Sequence, residues 1–262
     1  YKNLASLTWY ISNFFNLVGY IKSIDSEFIE NQKKINLKNK KRIELKTGNI
    51  EFKNVNFYYN KKKIINNLNF KIFDKKINCI IGTSGSGKST IIKLLLGLLP
   101  LKNGTINVDN TNINDFPEFY LNSNISMVSQ NITLFNGTIL DNITYGNDNI
   151  DTNKIKNYIK ELNLNNTVFK KLENGIYTKV GVNGSHLSNG QQQITLILRA
   201  FLQNKKIIIL DEPTTALDSE TKNIILNLIQ KLSHNKTIII VTHDIDVKNK
   251  SNKIIDLNKI NK

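Results

Sequence analysis

Ile77-Asn78-Cys79-Ile80-Ile81, running into Gly82-Thr83-Ser84-Gly85-Ser86-Gly87-Lys88-Ser89-Thr90, is the stretch that decides the fold. Ile77 to Ile81 is a short apolar run ending at glycines, the pattern of a strand buried on both faces. Beyond Ser89, the apolar run from Ile91 to Leu99 predicts a helix that stops near Pro100. Strand, G-x-x-x-x-G-K-[ST] loop and helix in that order make a phosphate cradle. Glycines allow left-handed backbone and a close approach to an anion. The N–H groups of the loop and of the helix start face that anion. Lys88 is expected to bring positive charge to the β/γ-phosphates, and Ser89 a hydroxyl to Mg2+. By itself this loop says nucleoside triphosphate and nothing more specific.

Downstream, Ile207-Ile208-Ile209-Leu210 runs into Asp211-Glu212. Ligands of open α/β sheets sit at the carboxyl ends of strands. Asp211 is therefore expected to hold Mg2+, directly or through water, and Glu212 to orient and polarise an attacking water. Other short apolar runs extend the pattern. Ile50, Phe52, Val55 and Phe57 predict one strand, Ile64 to Phe73 another, and Thr237 to Val241 a third. Residues 104–130 read as strand, loop, strand. Residues 138–172, 189–203 and 218–233 read as helical, and the mostly helical stretch 131–196 as a lobe. Strand–helix alternation predicts an α/β domain with a parallel sheet.

Residues 1–30 carry Leu4, Leu7, Trp9, Ile11, Phe14, Phe15, Leu17, Val18 and Ile21 at helical spacing. Two readings fit: an amphipathic helix packed on the domain, or the cytoplasmic end of a transmembrane helix. Residues 31–47, rich in Lys and Asn, read as a linker, and 48–262 as the folded domain. The chain opens on Tyr1 and not on methionine, so further sequence is expected upstream. No stretch reaches the roughly 18 uninterrupted apolar residues of a membrane span, and no signal-peptide pattern is present. Cys79 is the only cysteine, which rules out an internal disulfide; within an apolar run it reads as a core thiol. The net charge of +15 comes almost wholly from Lys, with Arg42 and Arg199 the only arginines. Spread along an Asn-, Ile- and Lys-rich chain, that excess reads as composition more than as a phosphate- or nucleic-acid-binding patch.

With these residues in order, the chain resembles the nucleotide-binding domain of ABC transporters over about residues 48–258. The phosphate loop and Asp211-Glu212 are joined by Leu187-Ser188-Asn189-Gly190-Gln191, close to the LSGGQ signature. Ala216-Leu217-Asp218 matches the D-loop, His243 the switch histidine, Gln130 the Q-loop glutamine, and Tyr59 the adenine-stacking aromatic, with Tyr58 beside it as the alternative. The resemblance implies a RecA-like P-loop NTPase core of α/β class, an antiparallel β subdomain and a helical signature subdomain. It implies ATP and Mg2+ as ligands, contacted by Tyr59, Gly82, Thr83, Ser84, Gly85, Ser86, Gly87, Lys88, Ser89, Thr90, Gln130 and Asp211. Ser89, Gln130 and Asp211 would surround the metal. Lys88, Gln130, Glu212 and His243 would serve hydrolysis, with His243 on the γ-phosphate. Two such domains would pair head to tail, so that Ser188, Gly190, Gln191 and Asp218 face the partner's nucleotide. ATP would close the pair and hydrolysis reopen it.

Leu134-Phe135-Asn136-Gly137-Thr138-Ile139, Asn142-Ile143, Tyr145-Gly146 and Thr178-Lys179-Val180-Gly181 resemble the exporter (type IV) branch. That branch implies a membrane protein whose transmembrane domain precedes this domain in one chain, with the domain on the cytoplasmic or matrix-equivalent face, and no nucleic-acid partner. Two alternatives stand beside it: an ATPase subunit of an importer or lipoprotein-release complex, and a soluble ABC ATPase acting on nucleic acid. Two positions depart from the family. Asn189 replaces the first signature glycine; asparagine tolerates left-handed backbone and caps helices, but its side chain would crowd the partner's γ-phosphate. Val182 stands where exporters carry a glutamate, which puts the coupling contact in question.

Overall fold

The computed structural model of the chain describes residues 45–116, 118–129, 133–146, 151–203 and 205–261. The expected N-terminal helix, the linker up to residue 44 and Gln130 lie outside the described residues.

Two sheets organise the domain. β1 (Ile50–Tyr59), β2 (Lys62–Ile72), β4 (Asn103–Val108) and β5 (Thr111–Asn112) form an antiparallel sheet in the order β2-β1-β4-β5. β3 (Ile77–Ile81), β6 (Ile125–Val128), β7 (Ile207–Asp211), β8 (Thr237–Val241) and β9 (Lys253–Asp256) form a wholly parallel sheet in the order β6-β7-β8-β3-β9. The helices are α1 (Lys88–Leu95), α2 (Glu118–Asn124), α3 (Ile139–Thr144), α4 (Thr152–Glu161), α5 (Asn189–Leu202), α6 (Ser219–Leu232), α7 (Ile245–Asn249) and α8 (Leu257–Ile260).

The parallel strands read as unbroken apolar runs because both of their faces are covered. Successive side chains point to opposite faces. Ile208, Leu210, Ile238 and Ile240 join a core with α3, α4, α5 and α6. Ile207, Ile209, Ile239 and Val241 join a second core with α1 and the antiparallel sheet. Each buried Ile or Leu contributes about 1.5–3 kcal/mol relative to exposure. Cys79 is buried in the first core, where burial pushes its thiol up to about 11, so it is an inert packing residue as its sequence context indicates.

Where the reading of local sequence and the structure differ, a capping or tertiary contact is the reason. Helix α1 ends at Leu95, well before Pro100. Gly97, at φ +69°, closes it: its N–H donates to Leu94 O at 3.1 Å and the Leu98 N–H to Lys93 O at 2.9 Å. This is a Schellman end, for which glycine is the signal. Within 104–130, the connection between strands contains helix α2, where Leu121 is buried and Tyr120 stacks on Phe116 with ring centroids 5.6 Å apart. Strand β9 and helix α8 complete the parallel sheet from a stretch whose apolar signal is only two residues long, Ile254-Ile255.

The folded region reaches back at least to Leu45, which is buried and donates its N–H to the Tyr120 hydroxyl at 3.0 Å. The Asp109 carboxylate accepts from the amides of Lys46, Thr47, Gly48 and Asn49 at 2.8–3.0 Å, and from the Thr47 hydroxyl. Burial alone would raise that carboxyl, but these bonds outweigh it and hold Asp109 below the usual aspartate range. Among the described residues no helix is long and apolar enough to cross a membrane.

Candidate active site

The strand order β7-β8-β3 sets the carboxyl ends of three strands side by side. From β3 comes the loop Gly82–Gly87. Gly85 and Gly87 have φ of +81° and +100°, which side chains with a Cβ rarely adopt. A Cβ on Gly82 would fall 2.4 Å from Ser86 Oγ. Gly87, the N-cap of α1, has no side chain to cap the first-turn amides. The Lys88 ammonium folds back over its own loop, donating to Gly82 O at 2.5 Å and Thr83 O at 3.0 Å. Burial lowers its pKa, against the pull of Glu212 and Asp211. Ser86 Oγ is buried with no hydrogen-bond partner among the described residues. Ser89 is exposed and Thr90 buried.

Two asparagines that the sequence did not single out brace this loop. Asn258 Oδ1 accepts from the N–H and the hydroxyl of Thr83 at 3.1 and 3.0 Å. Asn261 donates to Ser86 O at 3.0 Å and to Ile64 O at 2.9 Å. Their spacing of three puts both on one side of the last turn, but in a chain this rich in asparagine that spacing carries no distinguishing signal.

From β7 come Asp211 and Glu212. Glu212 takes φ +50°, and its N–H donates to Val241 O at 2.8 Å. Its Oε2 accepts from the Thr215 and Thr242 hydroxyls, both at 3.0 Å. From β8 come Thr242, His243 and Asp244. His243 is exposed, and Asp244 accepts from the Thr214 hydroxyl at 2.9 Å and from the Lys222 ammonium at 2.7 Å. Burial would raise the Asp244 carboxyl, but the bonds from Lys222, the Asp246 amide and Thr214 bring it below the usual range.

The remaining sequence-predicted residues lie on other elements. Tyr59 ends β1, half-exposed, with Phe57 edge-on at 5.0 Å; Lys63 Nζ sits 5.5 Å over the ring of its neighbour Tyr58. Ser188 is the N-cap of α5 in a reciprocal box with Gln191, whose amide also donates to Val168 O at 2.9 Å. Asn189 is the first residue inside α5 and is not among the residues of positive φ. Its tolerance of left-handed backbone is therefore not used, and the capping falls to Ser188. Gly190 allows close packing: a Cβ there would lie 2.4 Å from Thr221 Cγ2 of α6. Asp218 caps α6 through the Thr221 N–H and hydroxyl at 2.9 and 2.7 Å. Val182, strongly exposed, sits between Gly181 at φ +75° and Asn183 at φ +54°.

The ABC transporter family profile matches residues 65–215, more than half of the chain and spanning the phosphate loop, signature and acidic strand end. The chain belongs to the ABC transporter family. This ABC transporter chain is 38% identical over 197 residues to an ATP-dependent lipid A-core flippase of Saccharophagus degradans, covering 75% of the chain and 33% of that protein. It is 36% identical over 217 residues to the multidrug resistance-like ATP-binding protein MdlB of Buchnera aphidicola, covering 82% of the chain and 37% of that protein. In structure it matches a bacterial Atm1-family ABC exporter with ATP bound, with a TM-score of 0.73, 30% identity, and coverage of 82% of this chain and 37% of that one. The chain thus spans about a third of the length of these relatives.

ABC membership entails nucleotide binding, and the loop fits a triphosphate. It offers uncapped helix-start amides, glycines where the backbone turns left-handed, an orphaned Ser86 hydroxyl and an ammonium resting on replaceable carbonyls. Burial, with Glu212 adding to it, raises the Asp211 carboxyl despite Lys88. A raised acid contributes stability below its ordinary value of 3.8, which is lost as pH rises through the folded value. At neutral pH the ionised Asp211 is therefore a net cost to the nucleotide-free fold. Asp211→Asn is expected to raise the thermal midpoint at pH 7, by under about 4 °C because solvent screens a half-buried group. The gain should narrow as pH approaches 3.8. Melting curves across pH check it, and an equal or lower midpoint at pH 7 contradicts it.

Proposed function

We propose that this chain is the ATP-hydrolysing domain of an exporter, converting the cycle of ATP binding and hydrolysis into opening and closing of a pair of such domains. One observation supports this above the rest. Three neighbouring strand ends bring together an ammonium in a glycine loop, a pair of carboxylates and a histidine-bearing switch segment. Gly82 to Thr90 would hold the phosphates, with Lys88 leaving its loop carbonyls for the β/γ-phosphates. Glu212 would polarise water, His243 would touch the γ-phosphate and Tyr59 would stack on adenine. Among the described residues no group of three or more His, Cys, Asp or Glu side chains is placed to hold a metal. Mg2+ is usually bound through one or two carboxylates, with other oxygens, phosphate and water completing its shell. Ser89 and Asp211 would be its protein ligands, with Gln130 as a third. When bound, Mg2+ neutralises charge on the phosphates.

Ser188, Gly190, Gln191 and Asp218 would meet the nucleotide of a second domain, whether an identical copy or a homologue. Ser188 accepts within its own cap, so its hydroxyl proton is the part free to reach a phosphate. The relatives named as flippase and multidrug resistance-like protein support export; a transmembrane domain upstream in the same chain is part of this reading.

The test is equilibrium ATP binding and phosphate release by the purified chain with Mg2+. Absence of saturable ATP binding would overturn the reading. Asn189 is exposed in the first turn of α5. Asn189→Gly is expected to raise turnover on the order of fivefold, the effect of relieving about 1 kcal/mol of crowding in the transition state. Unchanged turnover at saturating ATP would show that Asn189 does not crowd the site.

A further inference from the structure

The hydrolytic carboxylate is held by a residue that belongs to none of the motifs' named positions. Thr242 is fully buried, and three strand ends meet on it. Its N–H donates to Ile80 O of β3 at 3.3 Å. Its hydroxyl oxygen accepts the Asp244 N–H at 3.0 Å and lies 3.0 Å from Glu212 Oε2 on the β7 side. An amide N–H only donates, and a hydroxyl has a single proton. The Asp244 amide therefore occupies a lone pair of Thr242 Oγ1, and the hydroxyl proton is directed at Glu212. The residue just before it, Val241, holds the main chain of the same glutamate through the Glu212 N–H at 2.8 Å. Consecutive residues at the end of β8 thus fix both the backbone and the carboxylate of Glu212.

We propose that Thr242 is a positioning residue for hydrolysis: its buried hydroxyl, fixed as a donor by the Asp244 amide, holds Oε2 of Glu212 and leaves Oε1 turned to water. This rests on the reading of Glu212 as the water-polarising carboxylate. Thr215, exposed at 3.0 Å from the same Oε2, is a second and weaker hold. Among the described residues no group donates to Oε1. A carboxylate with one oxygen bound twice and the other unbound presents a single acceptor in one orientation. Orientation of that kind is worth a large rate factor, because small misplacements of a reacting group cost up to about a hundredfold. Asp244 is itself fixed by Lys222 and Thr214, so the amide that orients Thr242 does not wander.

Thr242→Val keeps the shape and removes the donor. The expected result is a fall in kcat of about 10- to 100-fold with KM for ATP within about twofold, since the lost interaction acts on the reacting geometry and not on binding. Thr242→Ser, which restores the hydroxyl, is expected to return kcat to within about threefold of the parent. If Thr242→Val does not fold, Thr242→Ala is read in its place. A readout independent of turnover is the denaturation midpoint of the nucleotide-free chain for Thr242→Val, Glu212→Ala and the double variant. The losses should be less than additive, because both remove one hydrogen bond.

An unchanged kcat in Thr242→Val, an equal loss in Thr242→Ser, or additive midpoint losses would each overturn the proposal. Failure of the underlying reading looks different. If Glu212→Gln itself still released phosphate at the parent rate, the role of Glu212 would fall. The midpoint cycle would still report whether Thr242 grips it.

Discussion

Glu212→Gln is expected to lower phosphate release by about 10²–10⁴-fold, the range associated with loss of a positioned acid–base group, while ATP binds no more weakly than before. The substitution is nearly isosteric. The amide oxygen can still accept from Thr215 and Thr242, so the strained backbone at φ +50° and the contact with Val241 stay in place. What disappears is the negative charge and the basic Oε1 that the proposed arrangement turns to water. In the proposed site, binding rests on the loop from Gly82 and on Lys88, which are untouched. Removing one negative charge near the phosphates also removes a repulsion, so the dissociation constant should be equal or smaller. Steady-state phosphate release and a fluorescence titration with ATP read the two effects separately. Release at the parent rate would mean that another group activates the water. Weakened binding would mean that Glu212 supports the loop instead.

Asn142→Ala is expected to be the most damaging single truncation in the helical lobe, costing about 2–4 kcal/mol. Asn142 is fully buried on α3, and its amide is saturated. It accepts from Phe135 N–H at 3.1 Å and from Arg199 Nη2 at 2.7 Å, and donates to Phe135 O at 3.0 Å and Thr138 O at 2.9 Å. Arg199 Nε also reaches the Asn142 carbonyl at 2.6 Å, and its guanidinium lies 5.6 Å from the rings of both Phe135 and Tyr145. Burial lowers the Arg199 pKa, so its charge is already costly and depends on these acceptors. Alanine leaves a partly buried cation and a buried amide–carbonyl pair short of partners, which is dearer than the net value of the bonds themselves. For a domain of this size each kcal/mol moves the midpoint by about 2–4 °C. The exposed Asn165, changed to alanine, should stay within about 0.5 kcal/mol. A loss below about 1 kcal/mol for Asn142→Ala would show that water or a neighbour satisfies these groups. Because Arg199 lies on the helix that Ser188 caps, the same bolt fixes the far end of the signature helix.

Several elements of the site are legible in local sequence because their physical cause is local. A phosphate loop is a run of adjacent backbone torsions and amides, so glycine spacing after an apolar run is enough to find it. Strands β3, β7 and β8 are covered on both faces and so carry unbroken apolar runs. Helix α1 is found equally well, but its end is misjudged when Pro100 is weighed above Gly97, which makes the Schellman bonds. Helix α2 lacks an apolar period strong enough to stand out between its flanking strands. Residue type alone suggests a cap at Asn189, whereas Ser188, one position earlier, makes it.

What the sequence by itself determined is the chemistry present: an ammonium and amides for phosphate, carboxylates at a strand end, a histidine after another. These follow from short windows in which neighbours in sequence are neighbours in space. Only the tertiary structure decided how that chemistry is held. Asn258 and Asn261 reach the phosphate loop from 175 residues away, and Thr242 reaches Glu212 from 30 residues away. Those contacts exist because β9, which leads into Asn258 and Asn261, pairs with β3, and because β8 pairs with β7. Strand order is fixed by the burial of both sheet faces at once, a property of the whole chain that no local spacing encodes.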